Sequence, residues 1–200
     1  MNRPLKYRIA DSLGLRPYAL DPSTRRILAC TSGSILFAGL YIVGAYVRIP
    51  LYPVPVTLQT LFVLLSGAVL GGGFGALAGA IYLLLGASGL PVLAGSGGGL
   101  AGLASPTGGY LIGFLVAPVL VGRLFRNRTS YIWSIVVFSI GSLTVLAFGI
   151  AHLTLFYTHD FSNSLLMGLL PFIPGDALKV LAASSIYRSY KAIVHHRSAR

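Results

Sequence analysis

VTLQTLFVLLSGAVLGGGFGALAGAIYLLLGASGLPVL, residues 56–93, contains no Asp, Glu, Lys, Arg or His. The charge-free run extends further in both directions, from Ile49 to Gly122. A soluble domain carries roughly 25% charged residues, whereas this chain of 200 carries 10%, with 55% hydrophobic residues. So long a stretch without charge fits a chain whose solvent is hydrocarbon, where backbone groups must be satisfied within helices. The 25 glycines fit the same reading, because small residues let membrane helices approach closely. The fold class is therefore all-α and integral to the membrane.

A bilayer core about 30 Å thick takes about 20 apolar residues to cross as a helix. Residues 27–47 form such a run, behind a basic segment of residues 1–26. Residues 56–70 and 74–92 give a second and a third span, divided by Gly71, Gly72 and Gly73. A Gly- and Ser-rich loop precedes a fourth span at 109–121, and residues 131–156 form the fifth. The sixth begins near Gly175 and runs to about Tyr187, after an apolar approach segment at 165–173. The expected domain is thus a six-transmembrane-helix bundle over 27–190, with a basic tail at 191–200. The run at 27–47 is too long for a secretory signal and no clear cleavage site follows it.

Charge placement orients the bundle. Arg3, Lys6, Arg8, Arg16, Arg25 and Arg26 precede the first span. Arg123, Arg126 and Arg128 separate the fourth and fifth, and Arg188, Lys191, Arg197 and Arg200 close the chain. In a six-span arrangement thirteen of the fifteen Lys and Arg fall on one side, which the positive-inside rule makes cytoplasmic. Both termini are expected there, and the chain is expected to be a multi-pass protein of the plasma membrane, in contact with membrane lipid. Only Arg48 and Lys179 lie elsewhere. The net charge of +11 is spread over helix ends and forms no single patch, so no nucleic acid is expected as a partner. The single Cys30 excludes an internal disulfide and a Cys-based metal site.

The opposite side gathers residues 48–55, 87–107 and 157–175, which hold most of the prolines, glycines and polar residues near membrane depth. Irregular backbone at that depth is tolerated only where it is buried in protein or lines a cavity. A site in the outer half of the bundle follows. Its sharpest candidates are Asp176 and Lys179, an acid and a lysine in apolar surroundings, where an ionisable residue is functional by default. Pro174-Gly175-Asp176 reads as a helix start, and the i,i+3 spacing puts Asp176 and Lys179 on one face. The pair is either a structural ion pair or a site for a small molecule with an anionic and a hydrogen-bonding end.

Pro53-Val-Pro55 forces an extended approach to Thr57, Gln59 and Thr60. The Gln59 amide seeks either a neighbouring helix or a ligand. Tyr82 and Tyr110 are interfacial anchors or aromatic pocket walls. Gly95-Ser96-Gly97-Gly98-Gly99-Leu100-Ala101-Gly102 formally contains G-x-G-x-x-G, but the dinucleotide fingerprint needs a strand before it and a helix after it in a βαβ unit, and neither is expected here. A serine protease built on Ser96 and His152 would need nucleophile and base in contact; Ser96 sits in an outer loop without G-x-S-x-G. His159 and Asp160 read as a solvated pair. There is no Walker sequence, Cys/His metal cluster or paired carboxylates, so neither an enzyme nor a cofactor is expected.

Three segments, in this order and on this side, complete the reading: Pro53-Val-Pro-Val-Thr-Leu-Gln-Thr60; Gly89-Leu-Pro-Val-Leu-Ala-Gly95 leading to Pro106-Thr-Gly-Gly-Tyr-Leu-Ile-Gly113; and Pro174-Gly-Asp-Ala-Leu-Lys179. Together, over roughly residues 30–190, they closely resemble the BioY family, the biotin-specific substrate-binding subunits of energy-coupling-factor transporters. The resemblance implies a six-helix bundle that binds biotin in an outward cavity and works with a transmembrane coupling subunit and two ATPase subunits. It also implies that Asp176 and Lys179 serve at the site, with the Gly-rich loop and the first outer loop closing over the ligand. This chain departs from the pattern in two ways. Residues 95–102 carry no charged or amide side chain, which leaves Gly95 backbone and Ser96 as the polar contacts there, and the basic N-terminal segment is long. Biotin offers a ureido ring, an apolar bicycle and an aliphatic chain ending in carboxylate, and either end suits Lys179. The alternative is a stand-alone channel or proton-coupled carrier for a small carboxylate-bearing solute, with Asp176 titrating. Partner docking in the first span is expected at small residues, Ser34, Ala38 and Ala45, against the alternative that these pack within the bundle.

Overall fold

The computed structural model describes residues 21–95, 98–125 and 130–198. Helix α1 runs Pro22–Tyr46, five residues ahead of the expected start. Asp21 caps it by accepting the Ser23 amide, with Pro22 in the first turn, where its missing N–H costs nothing. Two short strands follow, β1 (Arg48–Ile49) and β2 (Val56–Thr57), then helices α2 (Gln59–Leu70), α3 (Gly72–Ala87) and the single turn α4 (Leu100–Leu103). Next come α5 (Gly108–Leu124) and α6 (Tyr131–Leu153), which widens into a π-helical turn at Thr154–Thr158. A short α7 (Phe161–Gly168) and a 3-10 turn (Leu170–Phe172) lead into α8 (Ile173–Ser198).

Three stretches, Pro22–Tyr46, Tyr131–Thr158 and Phe161–Val194, are long and apolar enough to cross a bilayer. Helices α2, α3 and α5 are equally apolar but have 12, 16 and 17 residues, or roughly 18–26 Å at 1.5 Å per residue. Two of them are shorter than expected for identifiable reasons. Val56 and Thr57 leave the second span because the chain around Pro53 and Pro55 is held extended and pairs antiparallel with β1, Arg48 opposite Thr57 and Ile49 opposite Val56. Helix α3 stops at Ala87 because Gly89, at φ 95, turns the chain out of the helix in the left-handed manner typical of helix C-termini, with Pro91 close behind. Gly71, at φ 86, makes the tight reversal between α2 and α3.

Glycine sets the spacing of the inner helices. A Cβ on Gly67 of α2 would stand 2.5 Å from the Pro118 carbonyl oxygen of α5, and one on Gly75 of α3 would stand 2.8 Å from the Pro118 Cβ. Helices α2, α3 and α5 therefore meet backbone to backbone around Pro118, the close approach that holds helices together where no hydrophobic effect operates. Two apolar clusters fill the rest of the bundle. One, around Tyr41, Tyr82, Tyr110, Phe114 and Phe172, lies at the end where α1 and α3 finish and α2, α5 and α8 begin. The other, around Leu64, Val121, Phe125, Phe138 and Tyr187, fills the opposite end. Large apolar side chains such as Ile35, Leu36, Leu84 and Leu178 point outward, 60–70% exposed, as lipid-facing residues do.

Ser34, Ala38 and Ala45 are buried within the chain. Ser34 Oγ donates to the Phe74 carbonyl of α3 at 2.8 Å, and Ala38 belongs to the cluster around Tyr41 and Tyr82. Their spacing lets α1 lie close to its own neighbours, which is the alternative of packing within the bundle. Arg126, Asn127 and Arg128 lie outside the described residues, as does the basic segment before Asp21.

The Pro118 seam predicts a contrast between two glycines. Gly67→Val should reduce thermal stability in detergent by about 1–3 kcal/mol or prevent folding, as overpacking does. Gly39→Ala on α1, where an added Cβ meets nothing within 4 Å, should be neutral or slightly stabilising. Equal melting temperatures for the two variants would show that the seam is not tightly packed.

Candidate ligand site at the irregular end of the bundle

The two strands, the 88–107 segment and the 159–173 segment converge at one end of the bundle. Beneath them lies a small cavity of about 30 Å³ whose walls include Thr57, Gln59, Thr60, Thr107, Tyr110 and Phe172. Val54, Pro55, Ala94, Leu111, Phe114, Val145 and Leu146 complete an otherwise apolar lining. Apolar walls with a small number of placed polar groups are the kind of lining that small-molecule sites present.

Each wall is fixed by hydrogen bonds reaching outside its own segment. Gln59, 2% exposed, donates from Nε2 to the Tyr82 hydroxyl at 2.8 Å. Tyr82 donates onward to the Val92 carbonyl at 3.2 Å, and Thr57 Oγ1 donates to Gln59 Oε1 at 3.2 Å. This chain of donors ties β2, α2, α3 and the loop after α3 into one polar unit. On the other side, Tyr110 donates to the Gly168 carbonyl at 2.8 Å and stacks on Phe172 with ring centroids 5.6 Å apart, which holds the α7–α8 connection over the cavity. His152 of α6 stands 3.2 Å from the Ser105 carbonyl, and the Tyr157 hydroxyl donates to the Ala104 carbonyl. Together they anchor the loop that delivers Thr107.

Asp176 and Lys179 form an ion pair one turn into α8, both almost fully buried. Asp176 Oδ2 accepts from Ser142 Oγ of α6. Lys179 Nζ donates to the Thr57 carbonyl at 3.1 Å and lies 3.5 Å from Thr60 Oγ1. A buried charge needs both a counter-ion and hydrogen bonds, and this pair has them. It stands directly behind the Thr57–Thr60 wall, with Asp176 turned toward a groove of about 530 Å³ between α6 and α8.

Of the residues expected at the site, Thr57, Gln59 and Tyr110 line the cavity. Tyr82 supports Gln59 from outside it, and Asp176 and Lys179 back its wall. Gly95, at φ 91, borders a vestibule above the cavity. Ser96 lies outside the described residues. The glycine-rich segment serves packing: a Cβ on Gly98 would stand 2.4 Å from the Gly89 and Leu90 carbonyls. Sequence reasoning missed Thr107, Phe172 and Ser142. Thr107 and Phe172 sit within or beside segments already singled out, but Ser142 is one of several serines on α6 and carries no distinguishing sequence signal. His152, considered above as a catalytic base, is engaged with a carbonyl in the loop.

The fold has relatives among known proteins. Residues 21–196 match the BioY family. The biotin transporter BioY of Thermotoga maritima is 43% identical over 151 residues, covering 76% of this chain and 89% of that protein. The biotin transporter BioY of Lactococcus lactis is 32% identical over 174 residues, covering 83% of this chain and 92% of that protein. Among solved structures, the S-component for biotin from an ECF-type ABC transporter, a crystal structure at 2.1 Å, matches with a TM-score of 0.76 and 27% identity. That match covers 87% of this chain and 95% of that one. The fold is that of a membrane-embedded transporter component, and the chain belongs to the BioY family.

The donor chain yields a stability prediction. Tyr82→Phe leaves the buried Gln59 amide without its acceptor and the Val92 carbonyl without its donor, and should cost about 1–3 kcal/mol. Thermal unfolding in detergent measures this, and an unchanged midpoint would show that water or a neighbour replaces the hydroxyl.

Proposed function

We propose that this chain captures biotin from outside the cell and mediates its uptake as the substrate-binding subunit of an energy-coupling-factor transporter. The observation that carries the reading is the mixed polar and aromatic lining of the cavity in a BioY-family fold. Thr57, Gln59, Thr60 and Thr107 offer the few polar groups that a ureido ring needs, while Tyr110, Phe114 and Phe172 offer the apolar walls that suit a thioether bicycle. Lys179, behind Thr60, serves the ureido oxygen, and Asp176 holds that side chain in place. The chain has no nucleotide-binding sequence, so concentrative uptake draws on partners: a transmembrane coupling subunit and two ATPases. Saturable binding of labelled biotin to the purified protein supports the reading; its absence in folded protein overturns it.

Asp176→Asn and Lys179→Ala should each weaken biotin binding about ten- to a hundredfold, equivalent to roughly 1.5–3 kcal/mol for a lost charged hydrogen bond. A fall in melting temperature with affinity intact would assign the pair a purely structural role. The double variant should be strongly non-additive, because the two side chains contact one another.

Six crossings, with residues 1–26, the 123–130 loop and residues 191–200 at the cytoplasmic face, accompany this proposal. The three shorter helices cross together with the irregular segments at their outer ends. A cysteine placed at Asn127 should react with an impermeant reagent only from the cytoplasmic side, and labelling of intact cells would exclude this topology.

A further inference from the structure

We propose that Arg48 is the anion-binding residue at the mouth of the cavity, and that it takes the carboxylate of the captured ligand. The inference rests on the biotin reading and adds a residue to that site. In the β1–β2 ribbon Arg48 lies opposite Thr57, and directly opposed residues of an antiparallel pair share a face. Thr57 belongs to the cavity wall. A vestibule of about 360 Å³ above the cavity is bordered by Arg48, Tyr52 and Gly95, and it shares Pro55 and Thr107 with the cavity below. A ligand with its ring system in the cavity and its aliphatic chain passing between Pro55 and Thr107 would therefore bring its terminal group out beside Arg48.

The charge distribution favours the same residue. Each described carboxylate already has a local partner: Asp21 caps α1, Asp160 caps α7 and accepts from Asn163, and Asp176 pairs with Lys179. Arg48 has no acidic partner among the described residues. Arg25 and Arg26 in the first turns of α1, Arg123 at the end of α5, and Arg188 and Lys191 in the second half of α8 all stand toward the other end of the bundle. Lys179 is poorly suited to a carboxylate, because the newcomer would be a second negative group beside Asp176, and like charges at short range repel. A neutral acceptor such as a ureido oxygen meets no such repulsion. The planar guanidinium of Arg48 matches a carboxylate through two parallel hydrogen bonds. Arg48 also borders a side groove shared with Lys179 and Leu178, so a lipid phosphate is the competing anion.

The test compares biotin with its methyl ester, binding each to purified full-length protein in neutral detergent. The wild-type protein should prefer biotin. Arg48→Ala should weaken biotin about ten- to a hundredfold and leave the ester within about twofold, so that the preference for the acid disappears. Arg48→Lys, which keeps the charge and loses the fork, should fall between. Unchanged biotin affinity in Arg48→Ala would overturn the assignment while leaving the biotin reading intact, and so would equal losses for acid and ester. An effect confined to vesicles containing phosphatidylglycerol, and missing in neutral detergent, would assign Arg48 to lipid phosphate instead. If the folded wild-type protein bound neither ligand, the biotin reading and this inference would fall together.

Discussion

Asp176 and Lys179 place two opposite charges inside an otherwise apolar helix bundle, and much of the surrounding arrangement answers to that placement. Removing ions from water costs several kcal/mol each, even after relaxation. The pair is tolerable only because it is complete: Asp176 has Ser142 of α6, and Lys179 has the Thr57 carbonyl and Thr60 as well as Asp176. These contacts fasten α8 to α6 on one side and to the β2–α2 junction on the other. The junction is irregular backbone, and its carbonyl would be an orphan at this depth without the lysine. Charge and irregular backbone thus satisfy each other, and the cavity opens on the far side of the same residues.

The opposite constraint is closeness. Helices α2, α3 and α5 meet around Pro118 with so little room that Gly67 and Gly75 leave no space for a side chain. That seam keeps the three short helices rigid, so the segments at their ends need not be regular. The resulting division runs along the bundle: a seam and an aromatic cluster hold one end, while the other end can hold a cavity. The polar chain from Thr57 through Gln59 and Tyr82 to Val92 then keeps the cavity walls in register with the helices beneath them.

Much of this was legible in the sequence, and the remainder was hidden for physical reasons. Absence of charge marked the membrane helices, prolines and glycines marked the irregular end, and Pro174-Gly175-Asp176 marked the first turn of α8. Thr57, Gln59 and Tyr110 stood out because a polar side chain in an apolar run must meet a hydrogen-bonding partner in the bundle or a ligand. Spacing shows which residues share a face but not what that face meets, and so it left open whether Ser34, Ala38 and Ala45 meet a partner or pack within the bundle, where they lie buried. Ser142 escaped because a helical serine can bond back to its own helix, which conceals its one tertiary bond. The lengths of α2 and α3 were overestimated because hydrophobicity continues past the points where Pro55 and Gly89 redirect the backbone.

In the proposed site, the location of the pair ties ligand binding to the hydrogen bonding of the bundle. Lys179 cannot serve a ligand without sharing or leaving the Thr57 carbonyl, and that carbonyl belongs to the wall of the cavity. A ligand that offers a neutral acceptor at this point substitutes for the carbonyl and preserves the charge balance with Asp176. A ligand that offers an anion there disturbs the balance, and one that offers only apolar surface leaves the lysine unsatisfied. A site with buried polar groups discriminates strongly against ligands that fail to pair them. In the proposed site, selectivity at the deep end would therefore arise from a pre-existing hydrogen bond that the right ligand can replace.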